Sequence, residues 1–256
     1  MSGVLSSKKT LIGSIAAALA IICGLLVYGI LVTPARQPYR DAQAQFQNVD
    51  NALGRTNISL NASEATDEEF AQGITAVRAA FVSLEKENEA LGDESVLKEG
   101  EGKALYDAYN EDLKRFIAYN TNVIDSMEKL QPVLRKCSTE MQTVKANAEG
   151  AAVVRACAVE MQAVSDAPDE DYAQLATAFA AKYDELATIL DQMAVIADTN
   201  SAEYAALSTQ REAVLEDFST ASSTFTKNVQ QRRTAVLATD SAKALHDYLE
   251  AKSRVF

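Results

Sequence analysis

From Thr10 to Thr33 the chain runs 24 residues, TLIGSIAAALAIICGLLVYGILVT, without one charged side chain. Lipid offers backbone polar groups no water to bond, so an uncharged run of this length is stable there only as a helix. At about 1.5 Å per residue it reaches roughly 36 Å, enough to cross a hydrocarbon core of about 30 Å. Lys8 and Lys9 flank one end, Arg36 and Arg40 the other, and Tyr28 lies toward the far interface. Pro34 and Pro38 are expected to end the regular span. The apolar region of a cleaved signal peptide is about 7–15 residues, too short to describe this stretch. Thr33-Pro34-Ala35 also puts proline beside the bond to be cut, and Ile22 stands where a lipoprotein signal needs a small residue before Cys23. The expectation is an uncleaved signal anchor, a single-pass transmembrane helix over 10–33 behind a short cytoplasmic head, residues 1–9.

Sidedness rests on a small charge difference. Lys8, Lys9 and the terminal amine face Arg36 and Arg40 across the span, and the positive-inside bias leans toward a cytoplasmic N-terminus with an exported body. Within the span Gly13, Ala17, Ala20 and Gly24 share one helix face. That spacing fits close approach of a second helix, and with it a homo-oligomer, although small residues are common in such spans anyway.

The rest of the chain is acidic. The net charge is −12, to which the first 36 residues contribute +3, leaving −15 for the remainder. Such a body repels phosphate backbones, so nucleic acid is not an expected partner. It offers anionic lipid no polybasic surface either. Only 10 Gly and 4 Pro serve 256 residues, too few turns for a hairpin-rich β fold.

Apolar residues after the span recur at alternating steps of three and four, the mark of helical seams. The seams run through Tyr39, Phe46 and Val49; through Phe70, Ile74, Val77, Phe81, Leu84, Asn88 and Leu91; and through Tyr106 to Val144, with Pro132 expected to kink or restart that helix. Later seams pass Val154, Cys157 and Met161; then Tyr172, Leu175, Phe179, Tyr183, Leu186, Leu190 and Met193; then Tyr204, Leu207, Val214, Phe218, Phe225, Val229 and Val236. Thr66 with Glu69 reads as a capping box, Pro168 with Asp169, Glu170 and Asp171 as a helix start, and Asn200 with Glu203 as another. The expected fold is all-α: the anchor, a membrane-proximal helix and polar linker over 34–65, and a helical bundle over 66–256. Its helices are expected at about 66–91, 103–146, 150–165, 168–198 and 201–252. Stripes this narrow must pack on one another, as an elongated antiparallel, coiled-coil-like body.

Cys137 and Cys157 both fall on seams, in the repeated settings Cys-Ser-Thr-Glu-Met-Gln-Thr-Val and Cys-Ala-Val-Glu-Met-Gln-Ala-Val. A turn near Asn147 to Gly150 would set them face to face across a hairpin, at disulfide position. An unbroken helix would instead hold them about 30 Å apart. A slip of seam phase between Val144 and Val154 favours the turn, and a disulfide fits an exported body.

Catalytic motifs are missing from the pattern. One histidine, His246, and no tryptophan rule out the usual Ser-His-Asp, Cys-His and multi-histidine zinc sites. Gly100-Glu-Gly102-Lys103 lacks the first glycine and the Ser/Thr of a phosphate loop. The acids at 166–171 lack the spacing of a calcium loop and read as helix capping. Asn57-Ile58-Ser59 and Asn61-Ala62-Ser63 are glycosylation acceptors only in an exported, glycosylating setting. No catalytic residue, cofactor or metal is expected. Three function classes remain: a membrane-anchored extracytoplasmic structural or interaction protein with a protein partner in the envelope, an extracytoplasmic ligand-binding or sensor bundle acting through a partner, and, least supported, an enzyme.

Overall fold

The computed structural model describes residues 35–56, 66–237 and 240–254, and within them every regular element is helical. The order is α1 (residues 35–55), α2 (Asp67–Gly92), a 3-10 turn (Ser95–Leu97), α3 (Gly100–Met141), α4 (Ala148–Ala163), α5 (Glu170–Ala194), α6 (Ala202–Leu237) and α7 (Asp240–Ser253). The expected head and span, the small-residue face at Gly13, Ala17, Ala20 and Gly24, Cys23 and the Asn-x-Ser sites at 57–63 lie outside the described residues. Among the described residues no helix is long and apolar enough to cross a membrane.

Helix starts follow local chemistry. Thr66 and Glu69 form the reciprocal box: Thr66 N–H donates to Glu69 Oε2 at 2.8 Å and Glu69 N–H to Thr66 Oγ1 at 3.2 Å. Asp169 caps α5, accepting from Asp171 and Tyr172 N–H, and Asn147 caps α4, accepting from Gly150 N–H at 2.8 Å. Three expectations need correcting. Ser201, not Asn200, caps α6, its hydroxyl accepting from Tyr204 N–H at 3.1 Å. Pro38 lies among the helical residues of α1 rather than ending a helix. Pro132 lies inside α3 without breaking it; its ring is exposed, so the carbonyl it leaves unpaired can turn to water. The single helix expected over 201–252 stands as two described helices, α6 and α7. The expected third helix, 103–146, starts earlier and ends earlier, at Gly100 and Met141.

Contacts divide the chain into two units. One gathers the described residues up to Ala52 with Leu84–Asn110 and those from Asp240 on. Its core is Phe46 and Val49 of α1, Leu84 and Leu91 of α2, Leu97, Tyr109 of α3, and Leu245 and Leu249 of α7, all buried. Phe46 meets both the Tyr109 and His246 rings, at centroid distances of 5.5 and 5.9 Å. The buried Asn88 donates to Asn110 Oδ1 at 2.7 Å, and its carbonyl accepts from Tyr106 Oη at 2.9 Å. The last carbonyls of the chain's described end are satisfied by cations: Arg40 Nε donates to the Ser253 carbonyl at 3.5 Å and Arg36 to that of Arg254. Ser253 Oγ donates to Gln43 Oε1 at 2.7 Å.

Two glycines serve the turn into α3. Gly100 has φ +62°, a left-handed conformation that a side chain would strain. Gly102 is buried, and a Cβ there would collide with the Val96 carbonyl oxygen and sit 3.3 Å from the Tyr248 ring. Gly102→Ala is therefore expected to lower stability by about 1–3 kcal/mol, the range for overpacking, read as a lower denaturant midpoint. A midpoint equal to the parent's would show that the backbone yields there at no cost.

The second unit gathers Leu53–Ser83 with Glu111–Thr239. At its centre is α5, which buries Leu175, Phe179, Leu186 and Leu190 on one stripe and Ala176, Ala180 and Ala187 on another. Methyl side chains on that second stripe permit close helix approach, and α4 answers with Ala151, Val154, Cys157, Ala158 and Met161, all buried in the same core. Arg78 of α2 bridges to Asp125 and Glu128 of α3 at 2.7 and 2.6 Å, exposed pairs that contribute little each.

Candidate ligand cleft beside a disulfide-closed hairpin

The α3–α4 connection turns over residues 142–147, as the slip in seam phase suggested. Asn147 holds that turn by capping α4, and the helices leave it antiparallel. Cys137 and Cys157 then meet with Cα atoms 5.6 Å apart and are joined as a disulfide, both fully buried. Their neighbours in the core are Leu130 of α3, Val154 and Met161 of α4 and the inner stripes of α5. A crosslink closing a loop of this size limits the unfolded chain and stabilises by roughly 3 kcal/mol in the loop-entropy account.

Helices α5 and α6 pack antiparallel through aromatic layers. Tyr172 meets Phe225 edge to face at 4.7 Å, and Phe179 meets Phe218 at 5.0 Å, with Tyr183 also 4.7 Å from the Phe218 ring. These pairs fix the register, since seven residues up α5 correspond to seven down α6. Continued another seven residues, the register sets Leu186 opposite Arg211, and then Leu190 opposite Leu207. The α6 seam read from sequence steps from Leu207 straight to Val214. The helical position it passes over, four residues after one and three before the other, is Arg211.

A guanidinium cannot fill a seam layer as a ring does, and here the layer stays open. A cleft of about 350 Å³ lies there, lined by Ser138 and Met141 of α3, Gln142 and Val144 of the turn, Leu186 and Leu190 of α5, and Arg211 and Leu215 of α6. Arg211 Nε is buried with no hydrogen-bond acceptor. No ion pair joins Arg211 to any described carboxylate. A second cleft of about 300 Å³ lies at the α3–α4 turn, lined by the turn residues with Glu149, Gly150 and Val153. Its walls are mainly polar backbone and side chains, and Val144 is common to both.

Arg232 provides the contrast within the same helix. It too stands at a seam position, between Val229 and Val236, but it meets the acids at the start of α5. Its guanidinium lies 2.6 Å from Glu170, 3.1 Å from Asp171 Oδ2 and 4.0 Å from Asp169. Asp169 N–H donates to the buried Ser126 hydroxyl at 2.8 Å, tying this corner to α3. The sequence assigned these acids to capping. Asp169 does cap, while Glu170 and Asp171 also neutralise a cation of α6. Burial pushes the Asp171 carboxyl above its ordinary range, and the Arg232 charge only partly opposes this.

The remaining candidates gather no site. His246, expected on the surface, is half-buried against Phe46. It shares a ligand-sized cluster with Asp247 and Glu250, but those carboxylates are engaged by Lys243 and Arg254. Gly100 and Gly102 serve the turn into α3, and Lys103 of the rejected phosphate loop pairs with Asp107 at 2.5 Å. Compared with protein-family models, curated proteins and solved structures, the chain matches none.

The Asp171 environment gives a pH prediction. A folded-state pKa above the unfolded one means that folding favours the protonated acid. That contribution is present below about pH 4 and is lost as pH rises through the folded value. Asp171→Asn should therefore be as stable as the parent at pH 7 or slightly more so, and the parent should gain on it as pH falls toward 4. Arg232→Gln should cost about 1–3 kcal/mol at pH 7, because it strands the acids. Denaturation of each variant from pH 4 to 7 checks this. A parental advantage over the Asn variant that grows as pH rises would reverse the assignment.

Proposed function

We propose that this chain is a single-pass membrane protein, anchored by residues 10–33 with its N-terminus in the cytoplasm. Its body, built of antiparallel, coiled-coil-like helical packing, lies on the outer side of the membrane, with a structural or protein-interaction role in the cell envelope. The observation that carries the reading is the buried Cys137–Cys157 pair. Disulfides persist in oxidising compartments and are rare in reducing cytosol, so a body built around one belongs outside. The uncharged run supplies the anchor. Support comes also from Arg36 and Arg40, which follow the uncharged run closely and donate to the last described carbonyls of α7 and the residue after it. The sequence carries no catalytic motif, and on that ground the enzyme class is proposed last.

A second reading has its own observation. The cleft at Arg211 favours an extracytoplasmic ligand-binding bundle. Such a bundle would act through a partner protein.

Topology is the test. In intact cells stripped of outer barriers, added protease is expected to remove the body, while alkaline extraction leaves the remnant with the membrane. Protection of the body until the membrane is lysed would place it inside and end this reading. Release of the full chain by alkaline carbonate would remove the anchor.

A further inference from the structure

The two seam arginines of α6 meet different fates, and the difference points to a ligand. Arg232 is surrounded by Asp169, Glu170 and Asp171. Arg211 occupies an equivalent seam position with a buried Nε–H that has no acceptor, at the edge of a cleft of about 350 Å³. A partly buried cation without an anion costs stability, and a buried donor without an acceptor adds to that cost. An incoming anion removes both costs at once.

The walls narrow the choice of anion. Met141, Leu186, Leu190 and Leu215 give the cleft an apolar surface, which a small inorganic anion would leave uncovered. A single guanidinium matches a single carboxylate through two parallel N–H···O bonds. A dianionic phosphate would call for further cations, and no other lysine or arginine lines the cleft. The volume is at the small end of the roughly 300–1,000 Å³ typical of ligand pockets, which suits a short chain or one ring. Ser138 and Gln142 on the α3 side add polar groups at the wall. We propose that the cleft binds a small amphipathic carboxylic acid, its carboxylate on Arg211 and its apolar part against Met141, Leu186 and Leu190. The proposal deepens the ligand-binding reading and rests on it.

The test uses the full chain in lipid nanodiscs, with empty nanodiscs as the blank, and calorimetric titration of octanoate, octanol and octylamine. Octanoate should bind saturably with Kd below about 1 mM, and octanol and octylamine at least tenfold more weakly. Arg211→Gln should lose at least tenfold in octanoate affinity, and Arg211→Lys less, since it keeps the charge but not the fork. Leu215 is 43% exposed, so Leu215→Glu can be made without disturbing the core. One helical turn from Arg211, the new carboxylate should take the ligand's place and lower octanoate affinity at least tenfold. That variant decides the matter if Arg211→Gln does not fold. Equal binding of octanoate and octanol would leave a ligand-binding cleft but overturn the anion assignment. Saturable binding of none of the three would overturn both.

Discussion

Cys137 and Cys157 join α3 to α4 at the point where both helices press on α5, and the second unit is arranged around that junction. The bond lies inside the apolar core, so it adds a covalent limit to packing that is already favourable. With the hairpin closed, Met141 and Val144 stand beyond the bond at the end of α3 and form one wall of the cleft. The other walls belong to α5 and α6, whose register is held by aromatic layers on one side of Arg211 and by Leu190 with Leu207 on the other. The cleft is thus a layer of that interface in which a charge replaces a ring or an aliphatic side chain without an acid to meet it.

A helix with a single narrow stripe gains little alone, and this chain resolves that in two ways. In the first unit, four helical segments share a core of single stripes, with Asn88, Asn110 and Tyr106 supplying a polar register contact. In the second, α5 is covered on two faces because alanine occupies the second. Alanine abundance was visible in composition, but its placement on a second stripe of one helix was not, since methyl groups carry too weak a hydrophobic signal to register as periodicity.

The helical class, the capping box at Thr66, the start of α5 and the hairpin about Asn147 were all legible, because each depends on neighbours within one or two turns. The α2 seam was read almost residue by residue, from Phe70 to Leu91, and every member is buried. What depended on distant partners was not legible. Leu245 and Leu249 of α7 were missed as core residues because the seam search ended at Val236. The division into two units depends on which helices meet, which no local pattern encodes. Arg211 was passed over for the simplest reason: a charged residue in a seam looks like a gap in the pattern. The useful signal was the seven-residue step between Leu207 and Val214, with a cation at its inner position.

The account depends most on the closed hairpin, which links the core and the cleft wall and carries the proposal of an exported body. Peptide mapping by mass spectrometry, on full chain purified from its native cells with thiols blocked and no reductant added, tests it directly. The account predicts that the peptides bearing Cys137 and Cys157 are recovered joined to each other, with neither alkylated. Recovery of both cysteines alkylated, as free thiols, would contradict it.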